Sequence, residues 1–417
     1  MSARYQVLPP TAPVPAPEDV LEAVAREGAR RMLVRALEIE REEFLGRLSY
    51  ERGAEFRGYR NGYVRERTVG TGMGAVAIRQ PRVSDVPAGV QPFTSEIVGR
   101  YERRSETQAR LLARLYLEGL ATGDFEPVFR ELVGGTAALS ASSILRLKQE
   151  WADEYQLWRC RPLSERYIYL FCDGLYLKAG LEGEKTAVLI VIGVTADGRK
   201  ELLAMEEGYR ESTASWTAVL RGLRDRGLLE APLLAVGDGA LGLWGGLDQV
   251  FPSTRHQRCW NHRRLNVLDK LPRRLHADTS KQLHALYTAP TRAECTRLRA
   301  GLCQRLRLQG QEDAAACLER DWEDFVAFYD FPEEHWTHLR TSNPIESVFA
   351  GVRLRTNAAK RMRVRENALY LVFKLVTRLS TNWRAVNGPN QLLLLIAGER
   401  FVDGKLQRQP NTEGVAA

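Results

Sequence analysis

A block of strand-like runs between residues 167 and 239 constrains the fold of this 417-residue chain most strongly. Three runs follow one another, and a helix-like segment separates them from a fourth. The strands are YIYLFCDG (167–174), TAVLIVIGVT (186–195), KELLAMEEG (200–208) and LLAVGDG (233–239), and the helix is STASWTAVLRGLRDRG (212–227). Strands followed by a helix and a further strand predict an α/β fold with a mixed sheet.

Two of these strands finish on an aspartate followed by glycine, at Asp173 and Asp238. The carboxyl ends of strands in α/β sheets are where ligands bind. Asp-Gly is also a strong turn signal, and for either residue taken alone a turn is the favoured interpretation. The occurrence of both after buried strands shifts the balance toward a functional site.

The segment GDGALG (237–242) matches the G-x-G-x-x-G pattern of dinucleotide-binding loops. Asp238 would lie inside the phosphate loop and repel a pyrophosphate. The parallel βαβ unit expected at the start of such a fold is also missing from the sequence pattern. We therefore set the dinucleotide interpretation aside.

A third acid, Glu346, lies in TSNPIESVFAGVRLRT (341–356). Asn343 is a good N-cap and Pro344 a good first helical residue, which puts Glu346 at the third helical position of a capping box. Arg353 lies two turns further along the same helix face. Local sequence leaves both a capping role and a metal-binding role open for Glu346.

The spacing of the three acids predicts a helical insertion. Asp238 follows Asp173 by 65 residues, whereas Glu346 follows Asp238 by 108, far more than one crossover needs. Residues 259–335 are rich in Leu, Arg and Ala and predict helices without strands. Carboxylates at neighbouring strand ends could hold two divalent ions, and Mg²⁺ prefers such oxygen ligands.

Cys259 and His262 form a C-x-x-H pair. Two residues supply only half the ligands of a structural zinc site, so packing or a supporting role beside the acids is favoured over zinc. The six cysteines are scattered without a CxxC pair, which indicates a reducing compartment.

The chain is basic, with a net charge of +8, and two segments concentrate that charge. Residues 255–274 hold seven Lys or Arg and one acid, and residues 353–365 hold six and no acid. Such clusters attract a phosphate backbone, although solvated helix faces would look the same. The candidate DNA contacts are Arg258, Arg263, Arg264, Arg353 and Arg355, with Trp336 as a base-stacking candidate that could equally be core.

The N-terminal region predicts a flexible lead (1–20), a helix (21–48) and a hairpin (55–83) that carries interleaved Arg and Tyr. Three short helices over 105–155 resemble a helix-turn-helix. An ordinary exposed hairpin and a plain helical bundle fit the same patterns.

Several blocks of this sequence resemble one family. DGLYLK, GDGALGLW, RHQRCWNHRRLNVLDKLP, HWTHLRTSNPIESVFAGVRLRT and WRAVNGPNQLLLLIAGERFVDG occur in order, within a resemblance that spans roughly residues 55–404. They are similar to the Mutator-type DDE transposases of bacterial insertion sequences. The resemblance implies an RNase H-like core, with Asp173, Asp238 and Glu346 as the catalytic, metal-binding triad and with Cys259 and His262 as the family's C-x-x-H.

The resemblance further implies cleavage and strand transfer at terminal inverted repeats, with water and then a 3′-hydroxyl as nucleophiles and two Mg²⁺ ions that Mn²⁺ can replace. The expected partners are double-stranded DNA at element ends and target, and a second copy of the chain in a homodimer or larger assembly. A catalytically silent DNA-binding repressor and a nuclease without strand joining are the alternatives. No apolar run reaches 18 residues, so we expect no membrane span and a cytoplasmic protein. The resemblance also implies a bacterial, nucleoid-associated protein.

The expected organisation is a lead and N-terminal helix, a DNA-binding region, an RNase H-like core in two parts around an all-α insertion, and a tail. The lead and N-terminal helix occupy 1–54, and the DNA-binding region occupies 55–160. The two parts of the core are 161–272 and 338–404, the insertion between them is 273–337, and the tail is 405–417.

Overall fold

The computed structural model describes residues 20–51, 53, 55–72, 74–99, 105–118, 141–178, 185–208, 212–239, 241–358 and 365–407. The chain divides into two compact units, residues 1–145 and 146–417.

The first unit combines helices with two small antiparallel ribbons. Its elements are α1 (Val20–Leu45), β1 (Tyr59–Tyr63), β2 (Arg67–Thr71), β3 (Gly74–Ile78), β4 (Pro81–Ser84) and α2 (Glu106–Glu118). Strand β2 pairs with β3, and β1 pairs with β4. In the sequence, the β2–β3 ribbon therefore lies between the two strands of the β1–β4 ribbon. Leu37 of α1 packs with Val69, Val76 and Ile78 in a small apolar core.

The helix and the hairpin expected in this region are therefore confirmed. Of the three expected helices, the first is α2 and the third is α3 (Ala141–Arg159), which crosses the boundary between the units. The middle one, 122–132, lies outside the described residues.

The second unit is built on a five-stranded mixed sheet in the order β7-β6-β5-β8-β9. Its elements are β5 (Tyr167–Lys178), β6 (Lys185–Thr195), β7 (Lys200–Gly208), α4 (Thr213–Asp225), β8 (Leu234–Gly237), α5 (Leu241–Val250) and β9 (Arg255–Arg258). The pairs β5–β6 and β6–β7 are antiparallel, whereas β5–β8 and β8–β9 are parallel. The expected α/β fold with a mixed sheet is confirmed.

The two faces of the central strand β5 have different environments because successive side chains alternate between faces. On one face Leu170 and Cys172 belong to a core filled by Trp216 of α4 and Leu243 of α5. Tyr169 lies on the other face, where its hydroxyl is 2.7 Å from His335 Nδ1. Asp173 shares the parity of Tyr169 and so points away from the α4–α5 core.

Helices dominate the rest of the unit, as expected for the long interval between the second and third acids. They are α6 (Trp260–Leu268), α7 (Arg273–Tyr287), α8 (Arg292–Leu308), α9 (Glu312–Glu319), α10 (Trp322–Phe325), two 3₁₀ turns (Ala327–Asp330 and Glu333–His335), α11 (Trp336–Leu339), α12 (Asn343–Ala358), α13 (Arg365–Ser380) and α14 (Asn390–Ile396). A short ribbon of β10 (Phe401–Val402) and β11 (Lys405–Leu406) follows. Within the described part of the chain, no helix has the length and apolarity to cross a membrane.

Candidate active site

Three neighbouring parallel strands, β5, β8 and β9, position the candidate site residues Asp173, Asp238 and Cys259. Phe171 of β5 pairs with Val236 of β8, and Val236 pairs with Gln257 of β9. Continued two residues further, beyond the ends of β8 at Gly237 and β9 at Arg258, this register would bring Asp173, Asp238 and Cys259 into line. The Cys259 N–H donates to the Gly237 carbonyl at 2.7 Å, so the β8–β9 pairing continues past the end of β9.

Asp173 does not end its strand, contrary to the sequence expectation. Strand β5 continues to Lys178, and both Asp173 and Gly174 pair with β6, so this Asp-Gly is not a turn. The side chain is only 6% exposed, and its Oδ1 accepts from the Gly174 N–H at 2.8 Å. Burial of a carboxylate is costly unless charge or hydrogen bonds compensate it, and the Gly174 N–H supplies one such hydrogen bond.

Asp238 directly follows the end of β8, as expected, and its loop is held by an arginine. Arg258 Nη2 donates to the Gly239 carbonyl at 2.6 Å, and Arg258 Nη1 pairs with Asp321. Gly239 has a φ of +98°, and a Cβ there would lie 2.3 Å from Arg258 Nη2. Glycine is therefore required beside Asp238 by both backbone conformation and space.

Helix α12, which packs against β5, brings in Glu346. The helix begins at Asn343, one residue earlier than expected, and Ser342 precedes it. The Asn343 N–H donates to Thr341 Oγ1 at 3.4 Å, so the capping box expected from Asn343 does not form. Instead, the Ser342 hydroxyl donates to Glu346 Oε1 at 2.8 Å.

The C-x-x-H pair meets the third acid. Glu346 Oε1 lies 3.7 Å from Cys259 Sγ and 3.9 Å from His262 Nδ1, and the three ligand atoms lie within 4.8 Å of one another. Asn261 Nδ2 donates to the other oxygen, Oε2, at 3.2 Å. Among the described residues this is the one group of three His, Cys or acidic side chains placed to share an ion. The two aspartates are not part of it; the Cys259 N–H, which donates to Gly237, the residue before Asp238, is a backbone link between this group and the second acid.

Cys259 is a neutral thiol at neutral pH in this environment. Burial raises the pKa of Cys259 to about 11, and the Glu346 carboxylate adds to the rise. Hydrogen bonds from the Ser342 N–H and hydroxyl, each 3.2 Å from the sulfur, oppose it. Ser342 and Asn261 are site residues that were not expected from the sequence. Asn261 lies inside the C-x-x-H and Ser342 directly before the helix, which are the only local signals.

Two of the residues expected to contact DNA, Trp336 and Arg263, are buried. Trp336 is 2% exposed, and its Nε1–H donates to the Phe331 carbonyl at 2.9 Å. Arg263 is 5% exposed, lies 4.1 Å over the Phe325 ring and donates to the carbonyl oxygens of Cys317 and Arg320. Both side chains stabilise the helical segment, and neither is available to nucleic acid in this structure.

The other basic candidates differ in accessibility. Arg258 is engaged by Gly239 and Asp321 as described, and half-buried Arg264 donates to Ser280 Oγ at 3.2 Å. Arg353 is exposed, with its guanidinium carbon 5.6 Å from the centre of the Phe349 ring. The side chain of Arg355 lies outside the described part of the chain.

Comparison with known proteins gives these residues a family context. The sequence matches the family model described as "Transposase, Mutator family" over residues 15–386. This chain belongs to the Mutator family of transposases. The match takes in residues 15–54, which precede the stretch covered by the resemblance noted in the sequence.

This Mutator-family chain also has curated relatives. It is 42% identical over 303 residues to the transposase for insertion sequence element IS6120 of Mycolicibacterium smegmatis, covering 72% of this chain and 93% of the relative. It is 40% identical to the transposase for insertion sequence element IST2 of Acidithiobacillus ferrooxidans, covering 66% of this chain and 93% of that protein. The transposase for insertion sequence element ISRM5 of Rhizobium meliloti is 31% identical, covering 87% of this chain and 89% of the relative.

Among solved structures, the Drosophila P element transposase strand transfer complex matches 72% of this transposase-family chain and 86% of its own, with a TM-score of 0.28 and 10% identity. Similarity at that level supports no conclusion about this fold.

Proposed function

We propose that this transposase has an RNase H-like catalytic core that cleaves and joins DNA at the terminal inverted repeats of an insertion sequence, with Asp173, Asp238 and Glu346 as its catalytic acids. The observation that carries the proposal is the pairing of β5, β8 and β9, whose register, continued two residues, places Asp173, Asp238 and Cys259 side by side, together with the contact of Glu346 with Cys259. The order β7-β6-β5-β8-β9, half antiparallel and half parallel, supports the fold assignment.

The donor chemistry of the three acids fits Mg²⁺, with Mn²⁺ as a substitute. All three offer carboxylate oxygens, the ligands that Mg²⁺ prefers, and few enough to leave positions for water and phosphate. Two such ions, when bound, would activate the attacking oxygen and neutralise charge on the phosphate and leaving oxygen. Asp173, fixed inside a paired strand, provides the most rigid ligand of the three.

We expect Glu346 to change its side-chain rotamer when it joins the aspartates in binding metal. Its Oε1 accepts from Ser342 and faces Cys259 and His262, and its Oε2 accepts from Asn261. Rotation about the Glu346 side chain between staggered conformers costs little compared with the gain from binding a divalent cation. Ser342 and Asn261 then act as positioning residues that hold the carboxylate until metal and DNA are bound.

The proposed reaction consists of two in-line displacements at phosphorus. In the first, a water oxygen bonds to the phosphorus at the element end while the P–O3′ bond breaks; the leaving O3′ takes up one proton to become a 3′-hydroxyl, and the second water proton leaves to solvent from the new 5′-phosphate. In the second, that 3′-oxygen loses its proton and bonds to a target phosphorus while the bond from phosphorus to the target O3′ breaks; the released target O3′ takes up a proton from solvent, so no net proton is lost. The joining of two element ends to one target is the reason to propose a homodimer or larger assembly on DNA.

Exposed groups in the first unit support a role in DNA binding. Tyr59 and Tyr63 of β1 are 55% and 49% exposed, and the Arg57 side chain is 48% exposed. Guanidinium groups suit phosphate, and exposed rings suit contact with sugar or bases. We propose that this ribbon contacts the element end.

The experiment is a cleavage and strand-transfer assay on element-end DNA with Mg²⁺ or Mn²⁺. Wild type is compared with Asp238→Asn and Glu346→Gln, and with the matched surface controls Asp225→Asn and Glu399→Gln, both at exposed positions. We expect metal-dependent nicking and joining in wild type and in both controls. The two site variants should lose both reactions while they retain DNA binding.

Two outcomes would overturn parts of the proposal. Binding of the ends without cutting or joining under either metal would favour a catalytically silent DNA-binding protein. Cutting without joining would identify a nuclease instead.

A further inference from the structure

We propose that Cys259, His262 and Glu346 form a binding site for a borderline-soft divalent ion such as Zn²⁺, separate from the oxygen-only site for Mg²⁺. The site consists of the thiol sulfur, the imidazole Nδ1 and the carboxylate Oε1, which lie within 4.8 Å of one another. Its existence does not depend on the proposed strand-transfer activity.

The donor set selects the class of ion. Sulfur and imidazole nitrogen favour Zn²⁺ and related transition metals, whereas Mg²⁺ takes oxygen ligands almost alone. One sulfur, one nitrogen and one oxygen from the protein leave a fourth tetrahedral position for water, an arrangement that zinc adopts in open sites.

Two of the three ligand–ligand distances are close to those of a metal-bound zinc site, and the third, from Cys259 Sγ to His262 Nδ1, is at most 4.8 Å. With zinc bonds of about 2.0–2.3 Å and tetrahedral angles, neighbouring ligand atoms lie roughly 3.4–3.6 Å apart. Glu346 Oε1 is 3.7 Å from Cys259 Sγ and 3.9 Å from His262 Nδ1. A contraction of a few tenths of an ångström in these two distances is within the reach of side-chain adjustment.

The surrounding groups hold each ligand in place. The Ser342 N–H donates to the sulfur at 3.2 Å, and the Ser342 hydroxyl, also 3.2 Å from the sulfur, can turn its one hydrogen from Glu346 Oε1 to a thiolate ligand. Asn261 holds the outer carboxylate oxygen and so directs Oε1 inward. His262 Nδ1 has no solvent exposure and no hydrogen-bond partner among the described residues, although it faces Oε1. A buried nitrogen in that position needs an explanation, and a metal ion would supply its partner.

Occupancy of this site has a defined chemical consequence. Binding forms a metal–sulfur bond and releases the Cys259 thiol proton to solvent. It also fixes Glu346 Oε1 beside Cys259 and His262. An ion of this class would therefore compete with the aspartates for the same glutamate.

The test uses Co²⁺ as a spectroscopic substitute for Zn²⁺ in titrations of the full chain without DNA. Thiolate ligation gives Co²⁺ a near-ultraviolet charge-transfer band, and tetrahedral geometry gives it strong visible bands. We expect one equivalent of Co²⁺ to produce both, stoichiometric Zn²⁺ to erase them and millimolar Mg²⁺ to leave them. Cys259→Ser should abolish the charge-transfer band, and His262→Gln and Glu346→Gln should each weaken Co²⁺ binding by about tenfold or more.

Matched controls separate this site from other cysteines and from the catalytic acids. Cys295→Ser alters a buried cysteine of α8, and Asp173→Asn and Asp238→Asn alter the proposed Mg²⁺ ligands; all three should keep the band. His262 is one-third exposed, so His262→Gln is the variant expected to fold if Cys259→Ser does not. Absence of the band in wild type, its survival in Cys259→Ser, or unchanged affinity in His262→Gln would overturn the proposal.

Discussion

Arg258 and Gly239 require each other: the guanidinium Nη2 donates to the Gly239 carbonyl at 2.6 Å, and a Cβ on Gly239 would lie 2.3 Å from that nitrogen. Because Gly239 directly follows Asp238, the pair sets the path of the backbone that carries the second acid. The arginine expected to contact DNA is therefore engaged in holding the loop.

Gly239→Ala should lower the free energy of unfolding by about 1–3 kcal/mol, because alanine is strained at a φ of +98° and its Cβ displaces Arg258. Urea unfolding measures the change. Gly222→Ala is the matched control: Gly222 lies inside α4 with nothing within 4 Å of an added Cβ, so it should gain about 0.5–1 kcal/mol. Equal stability of Gly239→Ala and wild type would show that the loop has another conformation.

Trp336→Phe should destabilise the chain without changing its affinity for DNA. The indole is 2% exposed and packs 4.9 Å from the ring centre of Tyr329. Phenylalanine keeps an aromatic ring but leaves the Phe331 carbonyl without the indole N–H, a loss of about 1–3 kcal/mol. Chemical unfolding and a DNA-binding titration, run on the same preparations, measure the two effects. A clear loss of DNA affinity in a folded Trp336→Phe protein would restore the base-stacking interpretation.

Arg353→Gln should weaken DNA binding about equally for all sequences. Arg353 is exposed on α12, two turns beyond Glu346, where a phosphate of the bound strand would lie. Loss of one phosphate contact should reduce the slope of log K against log salt by about 1. Binding titrations across a salt series measure it, with Arg224→Gln, an exposed arginine of α4, as the control. A slope identical to that of wild type would place the phosphate backbone elsewhere.

The stability of the second unit should fall as the pH drops through the range set by His338. Burial lowers the pKa of His338 to about 4, with Lys200 adding to the effect, and Nε2 accepts from the Asn387 N–H at 3.3 Å. The unfolded chain takes up the proton near the ordinary value of about 6.5, so stability is lost between there and about pH 4, at no more than roughly 1.4 kcal/mol per pH unit.

His338→Gln should flatten that dependence, since it removes the titrating group while it keeps a hydrogen-bond acceptor. Thermal unfolding at pH 7, 6 and 5 tests the effect. His335, another buried histidine with a lowered pKa, remains in this variant, so a smaller slope should persist. His284→Gln, an exposed position on α7, should follow the wild-type curve, and a His338→Gln curve that does the same would contradict the assignment.

The local sequence pattern was sufficient to predict most of the strands and helices. It was insufficient where contacts between distant residues determine the structure. The β-branched runs predicted β5 to β8 because buried strands need apolar side chains on both faces. Strand β9 was missed because RHQR is polar; it lies at the sheet edge, where its carboxamide and guanidinium groups find partners in distant helices. The end of β5 was wrongly placed at Asp173 because the Asp-Gly turn signal carries no information about pairing with β6.

In the candidate site, too, local sequence predicted some features and missed those that depend on contacts between distant residues. The three acids were selected from their local contexts, and their roles remain a prediction. The contact between Cys259 and Glu346 joins residues 87 positions apart, and no local spacing encodes it. Trp336 had two interpretations that sequence could not separate, and packing against Phe328 and Tyr329 decided between them.

The covered edge of the sheet limits how small this protein can be made. Gln257 of β9 donates to the Phe325 carbonyl at 3.2 Å and accepts from the Phe328 N–H at 2.8 Å, so the helical segment shields that strand. Trimming residues 273–337 to obtain a minimal catalytic fragment would leave the β9 edge open to pairing with other chains. Self-association, and not a smaller working enzyme, is the expected product of such a truncation.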